Sequence, residues 1–387
     1  MRRAVLLLSV LALALTFAPA AGAQTAAPND PLWSAQWGPR QIHADQAWGA
    51  STGAGAVIAV VDSGVDLSHP DLQGQLVNGA TFVGCAANGP CGNGDYTSGK
   101  DAGEPDGHGT HVAGIAAAAT GNGIGVAGVA PDAKIMPVKV LGEEGGSFEE
   151  IAAGIRWATD NGADVINMSL GGLPGLQVLE ITGVVREARD AIAYANSKGV
   201  AVVVASGNES APLCASPSFN NGALCVGATD PNELKAWYSN LTVKPDLLTI
   251  SAPGGAGTFF CEDDVVSTVP RGLEGFCGAD GYDYYAGTSM AAPHVSGVAA
   301  LLSALGLDNT GIYDVLTATA RQPVTGLRGV YDPAYGYGIV DAAAAVAAAG
   351  SSAPAVEEPT AEEPAKASPG KGSGRGNSNA GGPKKSR

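Results

Sequence analysis

Charge is scarce in this 387-residue sequence, because Asp, Glu, Lys and Arg make up 15% of the residues whereas hydrophobic residues make up 45%. This balance, with 56 glycines, excludes an intrinsically disordered protein and indicates a globular one with a sizeable core and many loops. Basic residues are the scarcer kind, and the formal net charge is −16 at pH 7. Since binding to phosphate needs a basic face, nucleic acid is not an expected partner.

Long apolar runs are missing beyond the N-terminus, so no membrane span is expected in the rest of the chain. Two arginines precede the apolar run 4–18, and residues 21–23 (AGA) are the small residues of a cleavage site. Residues 1–23 are therefore predicted to be a signal peptide, and the exported chain is expected to be secreted and extracellular. The alternative is an N-terminal membrane anchor, for which the run is short.

CxxC pairs, which would indicate zinc, do not occur among the six cysteines. Export to an oxidising compartment favours disulfides instead. Six cysteines permit many connectivities, and we expect the sequential one, which closes three short loops. The expected pairs are Cys85 with Cys91, Cys214 with Cys225, and Cys261 with Cys277.

Short apolar segments recur through the chain and do not alternate with polar residues, which is typical of strands buried on both faces. They are residues 56–61, 133–141, 163–170, 200–206, 223–229 and 247–253. Helices are predicted at 109–119, 148–161, 180–198, 289–305, 310–320 and 340–349. Ser147 and Glu150 have the spacing of a capping box at the start of the second. The sequence thus predicts a single α/β domain of three layers, a mostly parallel central sheet with helices on both faces.

The composition changes past Gly350, where Pro, Gly, Ser and charged residues replace large apolar ones. Such a segment cannot bury a core, so residues 351–387 are predicted to be a disordered low-complexity tail and residues 24–350 the folded domain. The tail is interpreted as a solvated extension, with attachment to a surface as the alternative.

Two polar residues beside glycines have both a chemical and an ordinary interpretation. Asp62 follows the strand 56–61 directly, at the edge where α/β sheets bind ligands, although it could equally cap a turn. His108 stands at the start of a helix, with His111 three residues later. That spacing differs from the i, i+4 pair of zinc helices, so a metal pair is the weaker interpretation.

Two more residues of this kind follow along the chain. Ser289 lies at the N-terminus of a helix, where serine is often only a cap, but where the helix dipole also favours negative charge on a substrate. Asn208 follows the strand 200–206, and its uncharged NH₂ group can donate to an oxyanion. A turn asparagine beside glycine is equally ordinary. Each segment alone leaves both interpretations open.

In this order, the segments VVDSGVD, DGHGTHVAG, ASGN and GTSMAAPHV resemble the four signatures of the subtilisin family of serine peptidases. The resemblance covers roughly residues 29–350 and looks closest to the thermitase-like branch. It implies that Asp62 orients the general base His108, which activates the nucleophile Ser289. It also implies that Asn208 and the Ser289 N–H form the oxyanion hole. A serine endopeptidase acting on proteins or peptides is thus expected.

The resemblance also implies how substrate and metal bind. Substrate is expected to lie extended against two backbone segments, Gly145-Gly146-Ser147 and Ser169-Leu170-Gly171, with an apolar or aromatic P1 side chain. A structural Ca²⁺ is implied in an all-oxygen cage. Its implied ligands are Asp30, Asp71, Ala119, Asn122, Ile124 and Val126. Asp71 has the alternative of a turn residue, and the remaining implied structural residues are His69, His111 and His294.

The sequence departs from the family pattern at its start and in two loops. Domain sequence begins soon after residue 23, so no pro-segment is expected, and the domain is expected to fold with the help of calcium and disulfides. The loop 237–250 is longer than is common and the bridged segment 214–225 differs near the specificity pocket, so broad specificity is expected. The chain is expected to be a monomer.

Other interpretations remain for the chain as a whole. A catalytically silent subtilisin-like fold that serves as a surface or binding module is the alternative function. An α/β-hydrolase esterase is disfavoured, because Ala291 breaks the GxSxG pattern and the order of the triad differs. Three Asn-x-Ser/Thr sequons occur, at Asn167, Asn208 and Asn240, and the first two are interpreted as accidental because they fall on motif residues.

Overall fold

A parallel sheet forms the centre of the fold. The structure, a computed structural model, describes residues 27–85, 89–90, 107–172, 175–177, 186–273 and 275–352. The strands of the central sheet in these residues are β1 Val57–Asp62, β2 Ala80–Thr81, β3 Lys134–Lys139, β4 Val165–Met168, β5 Ala201–Ala205, β6 Leu224–Thr229 and β7 Thr249–Pro253. Their spatial order is β2-β3-β1-β4-β5-β6-β7, and all neighbouring pairs are parallel.

Helices cover both faces of this sheet. In the described ranges they are α1 Trp37–Gln41, α2 Ala44–Ala47, α3 His108–Ala117, α4 Phe148–Asp160, α5 Glu187–Ser197, α6 Thr288–Ser303, α7 Asn309–Thr319 and α8 Ala342–Ser352. Single 3₁₀ turns occur at Pro70–Leu72 and Cys261–Asp263. A separate antiparallel pair consists of β8 Val265–Thr268 and β9 Tyr282–Tyr285.

The sheet has two apolar faces because its strands are apolar at consecutive positions. In β1, Ile58 and Val60 pack into the core that contains α3 and α6, whereas Ala59 and Val61 pack into the core that contains α4 and α5. Full burial of a Val or Ile side chain contributes about 1.5–3 kcal/mol, so a strand with apolar residues on both sides is stable only between two layers. The predicted three-layer α/β fold is confirmed.

The predicted elements agree with the structure at nearly all positions. The six apolar segments form β1 and β3 to β7, and the capping box of α4 is present. Glu150 N donates to Ser147 Oγ at 3.1 Å, and Ser147 N donates to Glu150 Oε2 at 2.7 Å. The helix predicted from residue 180 begins at Glu187 in the described ranges. The sequence did not reveal α1, α2, β2 or the β8–β9 pair.

Two of the three expected disulfides are present in the structure. Cys214 is bonded to Cys225, and Cys261 is bonded to Cys277. The pairing of Cys85 with Cys91 lies outside the described residues, because Cys91 does. Across the described ranges, the helices are all too short or too polar to cross a membrane.

Candidate active site

Polar residues meet where three neighbouring strands end at the carboxyl edge of the sheet. β1 ends with Asp62, Ser169 follows β4, and Asn208 lies three residues after β5. These strands are adjacent and parallel, so their ends lie side by side. Two helices bring further residues to this edge, because α3 begins at His108 and the first turn of α6 contains Ser289. The four sequence segments therefore converge on one region.

Asp62 and His108 form a hydrogen-bonded pair. Nδ1 of His108 lies 2.7 Å from Oδ1 of Asp62, whose side chain is fully buried, whereas 28% of the His108 side chain is exposed. The same carboxylate oxygen accepts from Ser63 N at 2.8 Å, which fixes its orientation. A bond from Nδ1–H to the carboxylate leaves Nε2 of a neutral imidazole as a proton acceptor.

Glycine at position 109 permits this close approach. A Cβ there would overlap the carbonyl oxygen of Gly64 and would lie 3.3 Å from Cβ of Asp62. The start of α3 could not then pack against the end of β1. The glycine after the histidine in DGHG is therefore required by the geometry of the His108–Asp62 pair.

Ser289 is held by a reciprocal pair of hydrogen bonds with Ser169. The Ser289 hydroxyl donates to the carbonyl of Ser169 at 3.2 Å, and the carbonyl of Ser289 accepts from Ser169 Oγ at 2.7 Å. Behind them, Asn167 Nδ2 donates to Ser169 Oγ at 3.0 Å, and Ser296 Oγ donates to Asn167 Oδ1 at 2.8 Å. Because Asn167 and Ser296 are fully buried, this network fixes the start of α6 against the end of β4.

The side-chain amide of Asn208 and the backbone N–H of Ser289 both lie beside Gly287. A Cβ placed on Gly287 would lie 3.5 Å from Asn208 Nδ2 and 3.6 Å from Ser289 N. Oδ1 of Asn208 accepts from both the backbone N–H and the hydroxyl of Thr288, each at 2.9 Å, which fixes the orientation of the side-chain amide. Two uncharged donors beside a helix N-terminus can stabilise an anionic oxygen.

A cleft of about 700 Å³ borders His108 and Ser169, whereas Asn208 and Ser289 are not among its lining residues. Its lining includes the segment 169–171 and the two glycines Gly145 and Gly146, which are residues expected to bind substrate. Ser147 is not among the lining residues, and its side chain instead caps α4. Apolar lining comes from Leu141, Leu170, Leu176 and Ile151. The cleft therefore combines glycine backbone with apolar side chains next to the His108–Asp62 pair.

The residues implied for calcium lie together in the structure. Asp30 and Asp71 are buried, and both contact the loop 119–126. Asp30 accepts from Gly121 N at 2.8 Å, and Asp71 accepts from Asn122 Nδ2 at 2.7 Å and from Val126 N at 2.8 Å. Two carboxylates that share one loop with amide and carbonyl oxygens provide the hard oxygen donors that Ca²⁺ prefers.

Electrostatics favour a cation at this cluster. Burial raises the pKa of the Asp71 carboxyl to about 6, and the negative charge of Asp30 raises it further. Among the described residues, no group of three or more His, Cys, Asp or Glu side chains is arranged to hold a metal ion. The carboxylates of Asp30 and Asp71 are the kind of ligand that Ca²⁺ prefers. In this structure Asn122 directs its NH₂ group to Asp71 while its Oδ1 accepts from Ile124 N, so Asn122 would have to reorient its amide to become a ligand.

The other histidines are structural. His111 stacks on Tyr285 with ring centroids 4.4 Å apart, and burial lowers its pKa to about 3. Burial lowers the pKa of His294 to about 4. His69 has a lowered pKa for the same reason, and its ring bonds to the Gly281 carbonyl. No role was expected for His43, whose Nδ1 lies 3.2 Å from a carboxylate oxygen of Asp341.

Several supporting residues were missed at the level of sequence. Ser63 and Thr288 lie within the segments that resemble the family signatures. Their positions directly beside Asp62 and Ser289 could have indicated their supporting roles. The reciprocal bonds of Ser169 cross 120 positions of the chain, which no local pattern reveals. In the sequence, Asn240 could be identified only as part of a sequon.

Known proteins resemble this chain in sequence and structure. The Peptidase_S8 profile, described as the subtilase family, matches residues 53–338. Thermitase from Thermoactinomyces vulgaris is 39% identical over 295 residues, covering 76% of this chain and 91% of thermitase. A thermophilic serine proteinase from Bacillus sp. (strain AK1) is 38% identical over 296 residues, covering 76% of this chain and 64% of that protein.

Further likenesses agree with these. An extracellular basic protease from Dichelobacter nodosus is 37% identical over 363 residues, and the match covers 84% of this chain and 56% of that protease. A solved protease structure from Pseudoalteromonas arctica PAMC 21717 has 35% identity and a TM-score of 0.68, covering 84% of this chain and 100% of that one. The chain therefore belongs to the subtilase family and is a serine endopeptidase.

Proposed function

We propose that this peptidase works through an acyl-enzyme formed on Ser289, with His108 as general base and acid and Asp62 as the residue that orients it. The 2.7 Å bond between His108 Nδ1 and buried Asp62, at the edge of a cleft next to the Ser289 helix, carries the proposal. This bond fixes the tautomer in which Nε2 can accept a proton. A serine hydroxyl needs such a base to attack an amide at neutral pH.

The proton route follows from the groups at the site. The proposed reaction requires the Ser289 hydroxyl, which donates to the Ser169 carbonyl at 3.2 Å in this structure, to turn instead towards Nε2 of His108. Oγ then attacks the scissile carbonyl carbon while the proton passes to Nε2, and Asp62 stabilises the imidazolium. His108 next gives this proton to the leaving amine. Water hydrolyses the acyl-enzyme by the same route and restores the free hydroxyl.

The side-chain NH₂ of Asn208 and the backbone N–H of Ser289 are proposed to bind the oxyanion. Negative charge develops on the carbonyl oxygen only during attack, so donors placed for that position lower the barrier more than they stabilise bound substrate. The orientation of Asn208 by Thr288 supports this role, because the amide is held before substrate arrives.

Substrate is proposed to bind as an extended strand between residues 145–147 and 169–171. Backbone pairing accepts many sequences, and the apolar lining of the cleft by Leu141, Leu170 and Leu176 favours an apolar or aromatic P1 side chain. The expected enzyme is therefore a broad-specificity endopeptidase.

Cleavage-site profiling tests this function most directly. A proteome-derived peptide mixture is incubated with the enzyme, and the new termini are identified by mass spectrometry. We expect internal cuts after many apolar or aromatic residues, together with covalent labelling of Ser289 by a fluorophosphonate. Absence of both cleavage and labelling would favour the catalytically silent alternative. Labelling at a different serine would overturn the assignment of the nucleophile.

The domain boundaries and the localisation are also proposals. Residues 1–23 would direct export and be removed, residues 24–350 would form the peptidase domain, and residues 351–387 would be a solvated tail. The basic and apolar N-terminus supports secretion, as does the likeness to a protease named as extracellular. N-terminal sequencing of the secreted protein tests the first boundary, where Gln24 is the expected first residue.

Removing Ca²⁺ is expected to lower the stability of the domain. The ion would neutralise Asp30 and Asp71, and at a free concentration 100 times its Kd it would add about 2.7 kcal/mol to the free energy of unfolding. Thermal unfolding of a Ser289→Ala protein, used to prevent self-cleavage, is measured in excess Ca²⁺ and in chelator. We expect a lower Tm in chelator and no restoration by Mg²⁺, which prefers a smaller octahedral site.

A matched pair of variants shows where the ion binds. Asp71→Asn removes a buried carboxylate of the cluster and should abolish the difference in Tm between calcium and chelator. Asp132→Asn removes an exposed carboxylate elsewhere and should keep the difference. A Tm that does not respond to calcium in the parent protein would refute the site.

The buried histidines are expected to make the fold acid-labile. His111 and His294 have pKa values of about 3 and 4 in the fold, below the ordinary 6.5. The unfolded chain therefore binds protons that the folded chain does not as the pH falls from about 6.5 to about 4. The free energy of unfolding should drop by about 1.4 kcal/mol per pH unit for each histidine.

Urea unfolding of the Ser289→Ala protein between pH 7 and 4 measures this dependence. His294→Gln removes one of the buried histidines that titrate in this range and should reduce the slope by about one proton. A slope in this pH range that is unchanged by His294→Gln would show that other groups cause the acid lability.

A further inference from the structure

A buried asparagine outside the recognised segments holds the loop that contains Asn208. Asn240 is 1% exposed and lies 32 positions after Asn208 in the chain. Its Nδ2 donates to the carbonyl of Ser206 at 2.9 Å and to Oε2 of Glu209 at 2.8 Å. Its Oδ1 accepts from Glu209 N at 3.1 Å and from Ala211 N at 2.7 Å. All four hydrogen-bonding positions of the side-chain amide are therefore used.

These bonds lie on both sides of Asn208. Ser206 precedes it and Glu209 and Ala211 follow it, while the backbone N–H of Asn240 also donates to the carbonyl of Gly207 at 3.0 Å. The segment 206–211 is a loop, with no strand or helix of its own to fix it. Its conformation therefore depends on bonds from elsewhere in the chain. Asn240 supplies five of them from a single residue.

The hydrogen bonds of Asn240 matter for the reaction because the Asn208 amide must be placed precisely. Thr288 fixes the oxygen of the Asn208 side chain and accepts from Gly207 N at 3.2 Å, while Asn240 bonds to the backbone on both sides of Asn208. A donor that is displaced by about 1 Å can cost about 100-fold in rate, because the bond to the oxyanion is made only in the transition state.

We propose that Asn240 is a positioning residue for the reaction, which holds the loop 206–211 so that the Asn208 amide faces the oxyanion before substrate binds. This inference rests on the proposed function of Asn208. It also gives the third sequon a meaning, since the amide nitrogen of Asn240 is buried and both of its protons are donated within the fold. The sequon at Asn240 therefore coincides with a residue whose side-chain amide is hydrogen-bonded within the fold.

The informative variant is Asn240→Asp, which keeps the shape and the oxygen that accepts from Glu209 N and Ala211 N. Its second oxygen replaces the NH₂ group and faces the Ser206 carbonyl and the Glu209 carboxylate, so two attractive bonds become repulsive. We expect kcat to fall by about 10- to 100-fold with little change in KM. Glu209→Gln alone should be nearly neutral, and adding it to Asn240→Asp should recover part of kcat by restoring a donor.

A double-mutant cycle with Asn208→Ala separates this role from general stability. Asn208→Ala should by itself lower kcat by about 10²–10³-fold, the loss typical of one oxyanion donor. If Asn240 acts through Asn208, Asn240→Asp should then have less than about a threefold further effect. An equal loss in both backgrounds would overturn the inference and leave the oxyanion assignment intact. An unchanged kcat in Asn208→Ala would instead refute the proposed function of Asn208.

Folding of each variant is checked by circular dichroism and by Tm. Should Asn240→Asp fail to fold, the smaller Asn240→Ser, which leaves room for water between the two segments, is used in the same cycle. Loss of kcat in Asn240→Ser that disappears in the Asn208→Ala background would support the inference, and loss that persists would overturn it.

Discussion

Replacing Ser289 with alanine is expected to lower kcat by about 10⁶-fold while KM changes little. Alanine removes the oxygen that forms the acyl-enzyme but keeps the backbone N–H that helps to bind the oxyanion. The cleft and the Asn208 amide are also unchanged, so a residual rate above that of the uncatalysed reaction should remain. The measurement is the initial rate on a fluorogenic peptide chosen from the cleavage profile, at saturating concentration.

A second serine variant provides the control for this loss. Ser197 is exposed at the end of α5, where its hydroxyl donates to the carbonyl of Tyr194. Ser197→Ala should keep the parent kcat and the fluorophosphonate labelling, whereas Ser289→Ala should lose both. A Ser289→Ala enzyme that retains more than about a thousandth of the parent kcat would mean that another residue is the nucleophile.

The carboxyl edge of the sheet explains how much of this site the sequence could predict. Asp62 and Asn208 each follow an apolar strand, so their location at one edge follows from parallel topology alone. His108 and Ser289 each begin a helix, and short glycine-rich segments mark both starts. These signals are local. Parallel topology alone places the residues that carry them at one edge of the sheet, so their location can be predicted before any particular contact is known.

The supporting contacts could not be predicted in the same way. Asn240 holds the loop of Asn208 through bonds that depend on how the chain returns after β6, and the sequence there shows only a sequon. The bonds between Ser169 and Ser289 depend on the exact approach of α6 to β4. The β8–β9 pair was missed because each strand has only four residues and the two strands are not adjacent in sequence. Tertiary packing determines these features, whereas local patterns determine the strands and helix starts.

Asp62→Asn is expected to lower kcat by about 10⁴-fold, although the side chain keeps its size and shape. Oδ1 of Asp62 accepts from both His108 Nδ1 and Ser63 N, so a neutral amide must place either oxygen or NH₂ at that position. With oxygen there, the hydrogen bond remains but the negative charge that stabilises the imidazolium is lost. With NH₂ there, His108 is held in the tautomer whose Nε2 carries the proton and cannot accept one from Ser289.

A second aspartate, which precedes β4 and bonds to the opposite end of β1, isolates the effect of the charge at the active edge. Asp164 accepts from Val57 N at 2.8 Å at the opposite end of β1, and Asp164→Asn keeps that acceptor. We expect Asp164→Asn to retain nearly the parent kcat, because its amide oxygen can replace the lost carboxylate oxygen and no imidazole depends on its charge. The rate of fluorophosphonate labelling, which also requires an activated Ser289, should fall with kcat in Asp62→Asn and stay unchanged in Asp164→Asn. Equal labelling of Ser289 in both variants would show that Asp62 does not support the base.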